Sequence, residues 1–551
     1  MKKSFLILPI ILLMTLTLLV AQEQPPKNWF HLDPVLDSFT GVSTDRTYQQ
    51  LLKGRKSTPI IVAVLDSGVD YEHEDLKNVM WINPGEIPGN GIDDDGNGYI
   101  DDVYGWNFIG GKDGQNVYHD TYEVTRLYKQ LRPKYEDRNP ASISKKEKKE
   151  YEKYLEYKKV IEDKLEELPP NVALYEATYN AIEALAKAIG KKPITLDDLK
   201  KFKSTDQMMM SAANLMINLM SSEGQSFENI QAEVKSAYDY YNNQLTYGYN
   251  EYFDPRPIIG DNIDDPYERY YGNNDVRGPD AEHGTHVAGI IAAERNNGIG
   301  MDGVASNVRI MSVRTVPDGD ERDKDVANAI IYAVDNGAAV INMSFGKGAS
   351  PDKPAVDKAL RYARKKDVLI VHAAGNDAKE NNGTNNFPNK KFKKKGLFGP
   401  KYADNWLEIG ALNWQRGEKA AASFSNYSPQ YVDLFAPGTA IYSTIPGSEY
   451  KNLQGTSMAA PVAAGVAATL RSYFPELTAK QVKDIMMKSV IPVSGKVKKP
   501  GSDELVNFNR LSVSGGVVNM YQAVELARQT KGKRKIAWPT RHVKPEPKVL
   551  P

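Results

Sequence analysis

The sequence predicts an α/β fold: a doubly wound, mostly parallel sheet flanked by helices, with an all-helical subdomain inserted in it. Three observations lead there. Short continuous apolar runs alternate with helix-patterned stretches in two separated parts of the chain, the pattern of strands buried on both faces and joined by helical crossovers. Between those parts, residues 118–250 read as helices only. The 551 residues include no cysteine, so stability has to come from a large core and not from disulfides.

The chain opens on Met1-Lys2-Lys3 and an apolar run ending near Ala21, which reads as a cleaved secretory signal over 1–21. An uncleaved anchor is the rival, since the run approaches the ~18 residues of a membrane span. The polar, proline-containing stretch after it favours cleavage. The expected location is secreted or periplasmic, with membrane contact only through the signal if it stays attached. Residues 22–52 form a lead segment with a helix over 44–52. Residues 53–117 begin the sheet domain with the apolar run Pro59–Leu65.

Within 118–250, helices are expected over 144–168, 171–189, 206–220 and 227–245. Ser144 and Glu147 make a capping box, Pro169-Pro170 a break, and Thr195–Asp198 the start of a short helix. The series Met208–Met210, Leu215, Met216, Leu219 and Met220 reads as packing core. The sheet domain resumes over 251–530, with strands at 308–313, 339–343, 368–373, 407–411 and 431–436. Helices at 324–336, 354–365, 456–473 and 478–488 alternate with them. Residues 531–551 form a basic, proline-bearing tail. A net charge of zero gives no sign of a nucleic-acid partner. Oligomeric state cannot be read from the sequence.

Three segments carry chemistry. Gly455-Thr456-Ser457-Met458-Ala459-Ala460-Pro461 opens a helix, where free backbone N–H groups and the helix dipole favour negative charge. Such a place stabilises an oxyanion, although capping serines are far commoner than nucleophiles. Asp66 ends a buried strand, where open α/β sheets build their sites. His283 lies in Asp280–Ile290, a turn running into a helix. The order Asp, His, Ser is one of the chain orders of the acyl-transfer triad.

With Val64–Gly68, His283–Gly289, Ala373–Asn376 and Gly455–Pro461 in this order, the chain resembles the subtilisin-like serine peptidases, the subtilases. The resemblance covers about 53–115 and 275–530. It implies a secreted endopeptidase with Ser457 as nucleophile, His283 as general base and Asp66 as its orienting carboxylate; His286 is expected to be structural. Asn376 and the Ser457 N–H are expected to form the oxyanion hole. Ser344, Phe345 and Gly346 are expected to pair with an extended substrate, facing Ala373, Ala374 and Gly375 across the pocket for the residue before the cut. Small pocket walls suggest a broad or apolar preference there. Protein or peptide substrates are the implied partners. Two features depart from the family: the lead segment is too short for the usual folding-assisting propeptide, and Asp66 and His283 are more than two hundred residues apart.

Calcium is the implied cofactor, with no organic one. Asp75, Asn297, Ile299 and Met301 resemble the family's strong site, the last two ligating through carbonyls. Asp93, Asp95, Asn97, Tyr99 and Asp101, with glycine sixth, follow an EF-hand spacing, but Tyr104 stands where that loop has glutamate. An Asx/Gly turn cluster is an equal reading. Two other classes compete with the peptidase: a zinc hydrolase using His283 and His286, whose spacing lacks the usual glutamate and fourth-residue histidine, and a surface binding protein on an inactive scaffold.

Overall fold

The first strand, β1 (Ile60–Asp66), is buried along its whole length. Its residues divide by alternation: Ile60, Val62 and Val64 join one apolar cluster, and Ile61, Ala63 and Leu65 join another. Successive side chains of a strand point to opposite faces, so β1 serves two cores and needs helices on both sides. A computed structural model describes residues 24–394 and 399–535. The signal over 1–21 and residues 536–551 of the tail expected over 531–551 lie outside the described residues.

The other strands are β2 (Gly105–Asn107), β3 (Val308–Arg314), β4 (Ala338–Met343), β5 (Leu369–Ala373), β6 (Trp406–Leu412), β7 (Leu434–Pro437), β8 (Ile441–Ile445), β9 (Glu449–Leu453), β10 (Ile491–Pro492), β11 (Lys496–Lys498), β12 (Leu505–Asn507) and β13 (Gly516–Val517). Eight of them join β1 in a nine-stranded sheet of order β10-β13-β7-β6-β5-β4-β1-β3-β2, and β8 with β9 and β11 with β12 form separate hairpins. In the sheet only β10 with β13 is antiparallel. The order reverses around β1, the topological switch point where such sheets place their sites.

Helix α1 (Thr44–Thr47) precedes the sheet; α2 (Glu123–Tyr135), α3 (Lys148–Ile189), α4 (Leu196–Lys201), α5 (Gln207–Glu223) and α6 (Phe227–Asn243) come between β2 and β3. Then follow α7 (Glu282–Ala292), α8 (Asp323–Asp335), α9 (Lys353–Lys365), α10 (Thr456–Tyr473), α11 (Ala479–Lys488) and α12 (Met520–Arg528). Residues of α7, α10, α11 and α12 complete the first cluster, and those of α8 and α9 the second. The doubly wound sheet expected from the sequence is present.

The chain divides into two compact units, Glu162–Thr246 and a larger one of Pro25–Ile161 with the residues from Tyr247 on. The helical stretch between β2 and β3 is therefore shared: α2 and the start of α3 belong to the larger unit, where Tyr128, Tyr135, Tyr154 and Ile161 cluster. The smaller unit has its own core of Ile182, Leu185, Met216, Phe227, Ile230 and others. Leu219 and Met220 pack against that core, whereas Met208 and Leu215 of the same series are exposed.

The expected break at Pro169-Pro170 does not occur, and α3 runs through both prolines. A helical proline removes an N–H and crowds the carbonyl four residues back. Those carbonyls belong to Leu165 and Glu166, both exposed residues, so the lost bonds fall on the solvent side of the helix. The lead segment is helical over 44–52 as expected, but not as one α-helix. Its α-helical part, Thr44–Thr47, widens into a π-helical turn over Tyr48–Leu52.

The lead segment is built into the larger unit. Trp29 is fully buried, and its indole N–H reaches the Thr439 and Ala440 carbonyls at 3.2 and 3.0 Å. Tyr48 donates to the Val304 carbonyl, and Asn519 to Ser43. Removing a buried tryptophan side chain costs about 3–5 kcal/mol. Trp29→Ala should therefore lower the thermal unfolding temperature clearly; a variant melting with the wild type would mean that the lead segment is not part of the fold.

Candidate active site

Asp66 is the last residue of β1 and is buried. His283 lies in the first turn of α7, and its Nδ1 stands 2.7 Å from Asp66 Oδ1. The approach depends on Gly284, where a side chain would collide with the Gly68 carbonyl and come within 3.1 Å of the Asp66 Cβ. His283 keeps 40% of its side chain exposed. Desolvation pulls its pKa down, but the Asp66 charge and hydrogen bond outweigh that and hold it above the ordinary histidine value. His286 is fully buried, bonds the Lys451 carbonyl at 3.0 Å and is pushed down to about 3 by burial.

Leu65 of β1 pairs with Met343 of β4, so Ser344 emerges one strand away from Asp66. Ser344 and Ser457 bond reciprocally: Ser457 Oγ donates to the Ser344 carbonyl at 3.0 Å, and Ser344 Oγ to the Ser457 carbonyl at 2.9 Å. This pins the first turn of α10 to the end of β4. It also means that the Ser457 hydroxyl is turned to Ser344. Among the described residues the Asp66–His283 bond is made and a His283–Ser457 bond is not.

Asn376 follows β5, and its Oδ1 accepts from both the N–H and the hydroxyl of Thr456 at 2.9 Å. That fixes the amide so that Nδ2 faces away from Thr456. A Cβ built on Gly455 would lie 3.4 Å from Asn376 Nδ2 and 3.5 Å from the Ser457 nitrogen. Two N–H donors thus border one space beside Ser457, kept open by a glycine whose φ of +151° disfavours a side chain. An oxyanion bound there would meet both.

A cavity of about 700 Å³ opens from this point, lined by Ser457, Thr456, Asn376, Gly375, Ala373, Phe345 and Gly346. Ser344 and Ala374 are absent from its lining. The Ala374 carbonyl is turned away and accepts from Asn381, Asn386 and Asn426. Sequence reasoning missed Asn386, whose Oδ1 is 2.6 Å from where a Cβ of Gly346 would be. It also missed the opposite wall, formed by Gly319–Glu321 together with Glu123, Glu156, Tyr157 and Tyr249 around the start of α2, α3 and the end of the helical stretch. No motif flags these positions. Thr456, beside Ser457, is the one whose place in the motif could have been weighed.

A model of the subtilase family matches residues 57–517. The chain belongs to the subtilase family. This subtilase is 41% identical to the "Thermophilic serine proteinase" of Bacillus sp. (strain AK1) over 213 residues, 38% of its own length and 46% of the relative's. It is 40% identical to "Thermitase" of Thermoactinomyces vulgaris over 34% of its length and 61% of the relative's. With the "Thermostable alkaline protease" of Halalkalibacterium halodurans it shares 30% identity over 352 residues, 63% of its own chain and 87% of the other. The first two matches thus span only about half to three-fifths of those relatives.

The metal-ligand candidates fall at two places. Asp75 is fully buried; Asn297 Nδ2 donates to its Oδ1 at 2.6 Å and the Met301 N–H to its Oδ2 at 3.0 Å. The Ile299 N–H donates to Asn297 Oδ1. All four candidates of this group are brought together, and burial raises the Asp75 pKa. In the second loop, Asp93 accepts the Asn97 and Gly98 N–H groups, and Asp101 those of Gly89, Asn90 and Gly91. The Tyr99 ring packs on Trp106 and Tyr332. Asp95 instead meets Glu86 and Asp102, with carboxylate oxygens all within 4.8 Å of one another. Asp102 is pushed up to about 7 by burial, against hydrogen bonds from Tyr332 and Asn83.

The Asp66 charge favours the imidazolium, so removing it should lower the His283 pKa. In an NMR titration of the imidazole, the wild type should titrate above the ordinary histidine value of ~6.5 and Asp66→Asn below the wild type. An unchanged midpoint would show that the Asp66 contact does not govern this ring.

Proposed function

We propose that the chain is an exported serine endopeptidase that hydrolyses peptide bonds of proteins through an acyl-enzyme. The observation that carries the reading is the bond from Asp66 to His283, made across 217 residues of sequence, with Ser457 at the start of α10 bonded to Ser344 at the end of the neighbouring strand β4. Rotation of the Ser457 side chain releases its hydroxyl from Ser344, and His283 accepts the proton as Ser457 Oγ attacks the substrate carbonyl. The oxyanion takes hydrogen bonds from Asn376 Nδ2 and the Ser457 N–H. His283 then returns the proton to the leaving amine, and the acyl-enzyme forms. Water, deprotonated by the same ring, hydrolyses the ester and restores Ser457. Asp66 fixes the ring tautomer and stabilises the imidazolium. For the residue before the cut, the small walls Ala373, Gly375 and Gly346 favour a broad or apolar range.

Export is supported by the basic and apolar start of the sequence. A relative from Bacillus subtilis (strain 168), 35% identical over 43% of this chain, is named "Cell wall-associated protease". Among the described residues no helix is long and apolar enough to cross a membrane.

Purified protein should hydrolyse casein and be labelled by a fluorophosphonate, and Ser457→Ala should lose both while keeping its unfolding temperature. His283→Ala should fall at least about a hundredfold. Casein hydrolysis retained by Ser457→Ala would sink the mechanism. A wild type that neither cleaves nor labels would favour a binding protein on an inactive scaffold.

Calcium is proposed at Asp75, with Asn297 and the carbonyls of Ile299 and Met301 as further ligands. A buried carboxylate with no lysine or arginine paired to it among the described residues suits it. A second site is proposed around the 93–101 loop, where Asp95, Glu86 and Asp102 offer the closest oxygen atoms. The Asp75 site ties together segments more than 220 residues apart. A ligand that binds only the folded state stabilises it by about 2.7 kcal/mol at a hundredfold excess over its Kd. Calcium should therefore raise the unfolding temperature, and Asp75→Ala should remove most of that increment. An unfolding temperature indifferent to calcium and EDTA would exclude the Asp75 site.

A further inference from the structure

We propose that the far end of the cleft binds a cationic side chain of the substrate, a lysine or arginine upstream of the cut, and that Glu321 selects it. The inference rests on the peptidase reading and adds a substrate preference to it. Glu321 lines the cavity that begins at Ser457, yet it is only 2% exposed. Its Oε1 is buried without a hydrogen-bond partner, and among the described residues its carboxylate forms no ion pair within 4 Å. A buried carboxylate left this way is costly unless a cation or donor arrives.

The neighbouring cations are already engaged elsewhere. Lys347 Nζ bonds the Glu123 carboxylate at 2.6 Å and Asp323 at 3.1 Å; toward Glu321 it reaches only the backbone carbonyl. Arg126 pairs with Glu123 at 2.8 Å, and Arg322 with Asp120 at 2.8 Å. Asp320, also on the cavity wall, has the Glu123 backbone N–H on its carboxylate. Five carboxyl groups (Asp120, Glu123, Asp320, Glu321 and Asp323) therefore face three cations. Burial pushes Glu321 up to about 8, with Lys347 opposing and Asp320 adding to the rise. An incoming ammonium or guanidinium supplies the missing charge and lets Glu321 ionise.

The remaining walls fit the same guest. Tyr122, Tyr157 and Tyr249 line the cavity, and aromatic faces attract cations. Glu156, on the same wall, adds a further carboxylate. An extended peptide advances about 3.3 Å per residue. Ser457 and Glu321 line one cavity, so a peptide bound with its cut site at Ser457 can place a further side chain against Glu321, distinct from the one held between Gly346 and Ala373.

The test uses chromogenic peptides on an alanine background with either lysine or norleucine, its uncharged analogue, at each of the second to fifth positions before the cut. At one position the wild type should favour lysine in kcat/KM by about tenfold or more, the worth of a charged hydrogen bond. Glu321→Gln should bring the two peptides to near parity. Asp320→Asn, which keeps its shape, should weaken the preference and serves if Glu321→Gln does not fold. Equal rates for lysine and norleucine at every position, or a preference that survives both substitutions, would overturn the assignment. If the wild type cleaves no peptide, the peptidase reading fails, and the site is judged by calorimetric binding of the same pairs to Ser457→Ala. There, tighter binding of a lysine peptide supports the site and equal binding refutes it.

Discussion

Everything at the site depends on the close approach of α7 to the carboxyl end of β1. The Asp66–His283 bond of 2.7 Å joins positions 217 residues apart, and it forms only because Gly284 lets the helix start rest against the Gly68 carbonyl. The rest follows from the sheet. β1 is central and buried on both faces, so its end is fixed by two cores at once. β4 beside it delivers Ser344, and through Ser344 the start of α10. Precision at the site is therefore inherited from packing that lies below it. The loop-closure entropy of the long intervening stretch grows only logarithmically with its length, so two hundred residues between two partners are compatible with a well-fixed pair.

That intervening stretch is not an appendage to the cleft. Its first part, with α2 and the beginning of α3, belongs to the larger unit and lines the cavity through Glu123, Glu156 and Tyr157. Glu123 works in two directions. Its carboxylate holds Lys347 and Arg126, while its backbone N–H caps Asp320 at 2.8 Å. Lys347 follows directly on the cavity-lining segment Phe345–Gly346. A change in α2 is thereby felt on the opposite wall, through buried ion pairs whose loss on one side leaves a charge stranded on the other.

How much of this was legible in the sequence follows from what each feature depends on. The strands of the sheet were readable because burial on both faces leaves an apolar run, and the ends of β1, β4 and β5 were placed to within a residue or two. Asp66, His283, Asn376 and Ser457 were readable because each sits in a compact motif at a strand end or a helix start. β2, the β8–β9 hairpin and the short strands from β10 on were not seen, since two to five residues carry too little pattern. The helix through Pro169-Pro170 was hidden because propensity penalises an interior proline without knowing that the carbonyls it frees are solvent-facing. The 93–101 loop shows the limit of spacing arguments: Asp93 and Asp101 fit a ligand period but hold backbone N–H groups, and Asp95 finds partners outside the motif. Glu321 and Asn386 were beyond reach, because only the fold brings them to the cleft.

The Ser457 hydroxyl adds a last step. Its bond to the Ser344 carbonyl closes a reciprocal pair that fixes the first turn of α10, while the Ser344 hydroxyl alone would keep the two segments joined. The structure can therefore release Ser457 Oγ without unfastening α10. Asn376 is likewise held through Oδ1 by Thr456, so that its donor side stays free. In both cases one polar atom secures the backbone and the other is left for chemistry. Under the proposed mechanism, Ser457 and Asn376 would need to move only by side-chain rotation, which is fast compared with a typical catalytic cycle. The geometry that matters most, the separation of β1, β4 and the start of α10, is left unchanged by that rotation.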